Sequence, residues 1–154
     1  MPGVLPFLRV DGTDIVDEQG RRVMLRGAAL GGWLMMEGYM MCGRNIPEKT
    51  FKAELGRSLG EAAVDDFTQT WRSTFITESD IAAMKRWGAT CTRASFNYRV
   101  VEFEDTPGVP NKKGLRYLDD VIKWCRKHSV YCILDMHAAP GAQPAMSADM
   151  AHEM

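Results

Sequence analysis

The stretch from Cys91 to His137 constrains the fold most strongly. Cys91-Thr-Arg-Ala-Ser-Phe96 and Tyr131-Cys-Ile-Leu-Asp-Met-His137 are short runs rich in apolar residues, and each reads as a strand. Between them Leu115, Leu118, Val121, Ile122 and Cys125 recur at helical spacing and line one face. Asn111 stands near the start of that helix, after a loop containing Pro107, Gly108 and Pro110. Asp119 and Lys123 are spaced to pair at i,i+4 on its solvent side. A strand, a helix and a second strand at this spacing form a βαβ unit, with parallel strands and a right-handed crossover. The second strand is apolar enough to predict burial in a parallel sheet.

Upstream, Phe7–Val10, the turn Asp11-Gly12 and Ile15-Val16 predict a β-hairpin. After the turn Asp17–Gly20, Val23-Met24-Leu25 resumes a strand pattern that runs into Arg26-Gly-Ala-Ala-Leu-Gly-Gly-Trp33. Residues 47–75 suit helix, broken near Gly56 and Gly60. Thr77-Glu-Ser-Asp80 fits a capping box, with Ile81, Met84 and Trp87 as the buried side and Gly88 as the stop. The order hairpin–β–α–β–α–β indicates the α/β class but does not alone decide between a barrel and an open sheet.

Length then matters. A chain of 154 residues buries a sizeable single core, yet a closed (β/α)₈ barrel takes about 250 residues and rarely fewer than roughly 200. The net charge of −1, with no local basic cluster, argues against nucleic acid as a partner. No apolar run approaches the ~18–20 residues of a membrane span. The opening MPGVLPFLRVDG lacks the basic and apolar regions of a secretory signal, so a cytoplasmic, reduced chain is expected. Cys42, Cys91, Cys125 and Cys132 show no zinc spacing, and no metal site is expected. Cys91, Cys125 and Cys132 read as small buried hydrophobes.

Ligands of α/β proteins bind at the carboxyl ends of the parallel strands. Polar residues collect at three such ends: Trp33, Glu37 and Tyr39 in LGGWLMMEGYM, Arg93 and Asn97 in TRASFNYR, and Asp135 and His137 in LDMHAAPGAQ. Each has a structural alternative when taken singly. Trp33 could plug the core, Glu37 and Tyr39 decorate a loop, Arg93 pair with a strand-end charge, and His137 bond to backbone. Three clusters at three successive strand ends favour one shared site.

With these segments in this order, the chain resembles the N-terminal part of glycoside hydrolase family 5, the cellulase and β-glucanase family of (β/α)₈ barrels. The resemblance runs from about Phe7 to Gln143. VDGTDIVDEQGRRVMLRGAALGGWL is similar to the family's hairpin and first strand, and TRASFNYR and ILDMHAAPGAQ to its second and third. LGGWLMMEGYM is especially similar to the subgroup containing exo-β-1,3-glucanases. Two departures are Ala29, where the family often has Asn, and Arg93-Ala-Ser95, where it has Arg-Ile-Pro or Arg-Leu-Pro.

The resemblance implies a partial (β/α)₈ barrel: a hairpin at about 7–23, a barrel portion at about 23–143 with the first three βα units, and a divergent tail at 144–154. The whole chain, 1–154, would be one incomplete domain. It implies that Arg93 orients the carboxylate nucleophile and favours its ionised form. His137 would contact a sugar hydroxyl, and Glu37 and Tyr39 would hold the sugar on the non-reducing side. Asn97 is a further substrate-binding candidate, and Trp33 is expected to pack structurally. Family members need no cofactor.

Retaining glycosidases act through two carboxyl groups about 5–5.5 Å apart. In the family these are glutamates at the ends of the fourth and seventh strands, the first preceded by Asn. This sequence has no Asn-Glu dipeptide, and Asp149 and Glu153 match neither motif. The expectation is a piece of a β-glucan hydrolase that is inactive alone. The alternatives are a carbohydrate-binding or scaffold module and a half-barrel that assembles with a partner. Exposed sheet edges would favour self-association.

Overall fold

The computed structural model describes residues 5–44 and 46–140. Its twelve segments include seven strands and four helices, and the site rests on three of the strands. The first two, β1 (Arg9–Asp11) and β2 (Asp14–Val16), form the expected antiparallel hairpin. Val23–Leu25 forms no strand; a single bridge from Val16 to Arg22 extends the hairpin, and the first parallel strand is β3 (Gly27–Ala29).

The central sheet has the order β3-β4-β7, all parallel, with β4 at Cys91–Asn97 and β7 at Tyr131–Ala138. Strand period dictates its two faces. Thr92, Ala94 and Phe96 of β4 are buried, and Ala94 and Phe96 join the core cluster with Leu30, Trp33, Leu34, Ile81, Val121 and Val130. Arg93, Ser95 and Asn97 alternate with them on the other face.

Two adjoining helices, α1 (Glu48–Leu59) and α2 (Glu61–Thr74), follow the loop after β3. The break falls at Gly60 alone, and Gly56 lies inside α1. Its missing Cβ leaves room for Glu61 and Val64 of α2 to approach. Phe51 meets Phe67 edge-on across the pair, and Phe67, Trp71 and Phe75 stack in series, with the Trp71 and Phe75 rings 4.1 Å apart.

The crossover helices are α3 (Glu78–Arg86) and α4 (Lys112–His128). Thr77 and Asp80 form the capping box of α3. Glu78, in the first turn of α3, accepts from Lys127 at 2.6 Å and His128 at 3.0 Å in the last turn of α4. Those charges complement both helix dipoles. Asn111 caps α4 by accepting from Gly114 N–H at 3.0 Å. A Cβ at Gly114 would collide with the Val100 carbonyl, so only glycine lets the helix start so close to β4's exit.

Several expectations fail for identifiable reasons. Trp87 is 80% exposed, because α3 ends at Arg86 and the next residue turns outward. Ile122 also faces solvent, and Lys123 pairs with Asp120 at 3.3 Å rather than with Asp119. The segment around Pro107 is no loop: β5 (Glu102–Phe103) and β6 (Thr106–Pro110) form a small antiparallel ribbon after the 3-10 turn Tyr98–Val100. Cys91 and Cys125 are buried as expected, whereas Cys132 is only partly so. Ile133, Leu134 and Met136 of β7 are exposed, because β7 is an outer strand of the described sheet. No described helix is long and apolar enough to cross a membrane.

The three-stranded parallel sheet with its crossover helices, entered through a hairpin, is the opening portion of a (β/α)₈ barrel.

Candidate active site

The site is built where β3, β4 and β7 run out. Arg93 pairs across β4–β7 with Ile133, and Ser95 with Asp135, so Asp135 lies one pair further along on Arg93's face. Arg93 Nη2 reaches Asp135 Oδ2 at 2.6 Å and His137 Nδ1 at 2.8 Å. Asp135 Oδ2 and His137 Nδ1 are themselves 3.1 Å apart. All three side chains are partly exposed, so they are open to a ligand while fixed by one another.

The chemistry of this triangle follows from donor inventory. A guanidinium only donates, so its bond to Nδ1 requires an acceptor nitrogen and puts the proton of a neutral imidazole on Nε2. That tautomer gives His137 a donor on the ring edge away from Arg93.

The second group of candidates sits on the loop after β3. Leu30 N–H donates to the Arg93 carbonyl and Asn97 N–H to the Leu34 carbonyl, so residues 30–34 leave β4 and return to it. Gly32, at φ +72°, makes the reversal that few other residues tolerate. Beyond it Tyr39 Oη donates to Glu37 at 3.0 Å, and the Glu37 carboxylate lies over Gly31, next to the end of β3. Tyr39 is 57% exposed.

Trp33 is wholly buried, stacked on Trp124 at 6.1 Å, with its indole N–H donating to the Arg72 carbonyl at 2.8 Å. That is the structural packing expected of it. Asn97 is buried as well; its Oδ1 accepts from Arg99 N–H at 3.0 Å and caps the 3-10 turn. The register slip opposite Phe96 and Asn97 falls on β7, where His137 is the extra residue and Asn97 pairs with Ala138.

Sequence reading missed the supports of this loop. Glu48 is nearly buried and receives Lys52, Arg72 and the Met36 N–H. Burial would push its carboxyl up, but Lys52 and Arg72 prevail and hold it below the usual carboxylate range. Trp71 N–H donates to the Gly32 carbonyl at 2.9 Å. Helices α1 and α2 thus clamp both halves of the loop that carries Glu37. The only signal available was an acidic residue after Pro47 at a helix start, which ordinarily marks a dipole contact. Residues 141–143 of the His137 segment, and Asp149 and Glu153, lie outside the described residues.

Comparison with known proteins places the chain. The family model for cellulase, glycosyl hydrolase family 5, matches residues 53–153. A beta-xylosidase of Phanerodontia chrysosporium is 41% identical over 143 residues, covering 90% of this chain and 29% of the relative. A glucan 1,3-beta-glucosidase of Candida oleophila is 30% identical over 133 residues, covering 77% of this chain and 30% of its own length. The chain therefore spans under a third of the length of these relatives. The crystal structure of rutinosidase from Aspergillus niger superposes with a TM-score of 0.59 at 22% identity, over 82% of this chain and 36% of that one. The crystal structure of AoRut gives 0.65 at 23% identity, with the same two coverages. The structural matches speak for the fold, and the sequence matches settle the family: this chain belongs to glycosyl hydrolase family 5.

Proposed function

We propose that the chain forms the sugar-holding side of the cleft in a retaining β-glucan hydrolase, and that the catalytic acid/base and nucleophile are supplied by sequence outside these 154 residues. The observation that carries this reading is the Arg93–Asp135–His137 triangle at the carboxyl ends of two adjacent parallel strands.

In this reading Arg93, held by Asp135, presents its remaining donors to the nucleophilic carboxylate and favours the ionised form that attack requires. His137 donates from Nε2 to a sugar hydroxyl in the subsite where the bond is cleaved. Glu37 accepts from adjacent hydroxyls on the non-reducing side, and Tyr39 lays its ring against a pyranose face. Asn97 contributes by shaping the end of β4, where it caps the following turn. The clamp of Glu48, Trp71 and Arg72 keeps the Glu37 loop in place without touching sugar.

Calorimetric titration of the chain with laminari-oligosaccharides tests the reading. Saturable binding that is lost in Glu37→Ala is expected, together with no turnover of laminarin or carboxymethylcellulose. Turnover abolished by Arg93→Ala would overturn the assignment of the reacting carboxylates elsewhere. Failure to bind any β-glucan oligosaccharide would overturn the sugar-holding role.

A further inference from the structure

Cys125 and Cys132 form a second reactive group, on the opposite face of the sheet from Arg93. Cys132 is paired with Thr92, whose side chain points to the helix layer, and it packs against the core cluster that contains Cys125 of α4. The two side chains meet in that layer, Cys132 packed against the cluster to which Cys125 belongs, and both line one groove. Their relative position is fixed by the end of α4: Ser129 adopts a left-handed conformation and Val130 N–H donates to the Cys125 carbonyl at 2.9 Å. That closure brings the chain back so that β7 begins directly under the helix it has just left.

Access comes from one side. A groove of about 450 Å³ runs between α4, the start of β7 and the segment Leu5–Leu8, and both cysteines line it. Tyr131 Oη donates to the Pro6 carbonyl at 3.1 Å and holds that segment over the groove. Cys132 is partly exposed there, whereas Cys125 is 1% exposed and lies behind it. Cys91 is buried under β3, and Cys42 stands exposed on the loop after Tyr39, so each differs in setting from this pair.

We propose that Cys125 and Cys132 are a dithiol modification site that takes a small hydroperoxide and closes to an intramolecular disulfide. Cys132 is the partly exposed thiol at the groove and Cys125 the buried one behind it, so a hydroperoxide entering there meets Cys132 first. The neighbouring Cys125 thiol also lowers the pKa of Cys132, against the opposing effect of burial. Cys132 is therefore the attacking thiolate. Its sulfur takes the distal oxygen of the hydroperoxide, the O–O bond breaks, and an alcohol leaves with the proton from the Cys132 thiol. Cys125 sulfur then attacks the resulting sulfenic acid, the S–O bond breaks, and its proton leaves with the hydroxide as water. Two thiols and one hydroperoxide give one disulfide, one alcohol and one water. The product staples α4 to β7.

The test is peptide mapping of the full chain after limited treatment with tert-butyl hydroperoxide, followed by blocking of free thiols and trypsin digestion. Cleavage after Lys123, Arg126 and Lys127 separates the two cysteines onto peptides 124–126 and 128–154. The expected result is one cross-linked species lighter by two hydrogens than the sum of those peptides, and reverting on reduction. Cys125→Ser should lose the cross-link and leave Cys132 as sulfenic or sulfinic acid. Cys132→Ser should leave Cys125 unoxidised. Oxidation confined to Cys42, or Cys132 overoxidised in the native chain while Cys125 stays a free thiol, would overturn the proposal. This outcome is independent of whether the chain binds glucan.

Discussion

Arg93 Nη2 lies 2.6 Å from Asp135 Oδ2, although the two residues are not directly paired in the sheet. The guanidinium leans two residues toward the carboxyl end of β7, where His137 Nδ1 lies 2.8 Å away. One acidic side chain therefore fixes the two residues that resemblance assigns to the sugar and to the nucleophile. Both partners of the ion pair are partly exposed, so its value to stability is small, on the order of 1 kcal/mol or less. Its value lies in orientation.

Asp135→Ala is accordingly expected to separate binding from stability. Laminari-oligosaccharide affinity should fall several-fold, by about 1 kcal/mol in a calorimetric titration, as the His137 ring loses the carboxylate beside it. The melting temperature should move little. Unchanged affinity would show that Arg93 alone suffices to hold His137.

The clamp beneath the Glu37 loop should behave in the opposite way. Glu48→Ala leaves Lys52 and Arg72 as poorly solvated cations and removes the acceptor for Met36 N–H. A loss of roughly 3–5 kcal/mol in urea unfolding is expected. Glu48→Gln, which keeps an acceptor for Met36, should cost less.

The parts that were legible in the sequence are those fixed by local pattern. Thr77 and Asp80 announce a helix start because the capping geometry is set within four residues. The parallel pairing of β4 with β7 follows from two apolar runs and one helix, and Arg93, Asp135 and His137 are polar residues set within or at the end of those runs. What stayed hidden depends on distant partners. Glu48 acquires its role from Arg72 and the Met36 backbone, neither of which is near it in the chain. Asn97 follows Arg93 by strict alternation, yet it is buried and its Oδ1 is taken by Arg99 N–H of the following turn. Ile133, Leu134 and Met136 carry the composition of a buried strand, yet they are exposed at an outer position of the described sheet.

Acid stability offers a further test. Glu104 accepts from Arg99 at 2.9 Å and from Lys49 at 3.1 Å, and these partners lower its pKa from 4.5 to about 2. A depressed carboxyl contributes stability that is present above pH 4.5 and is lost as the pH falls through 2. Glu104→Gln should therefore lower stability near neutrality and flatten its fall across that window, read by unfolding at a series of pH values. Parallel pH curves for the two proteins would show that the group makes no net contribution.

The central claim is that the ends of β3, β4 and β7 form one sugar-binding surface, and resonance mapping during a glucan titration tests it most directly. Adding laminari-oligosaccharide to isotopically labelled chain should shift the signals of Glu37, Tyr39, Arg93 and His137 together, along one saturation curve. His137→Ala should weaken that curve without unfolding the protein. Saturable shifts confined to another surface, or no shifts at these four residues up to saturating sugar, would contradict the account.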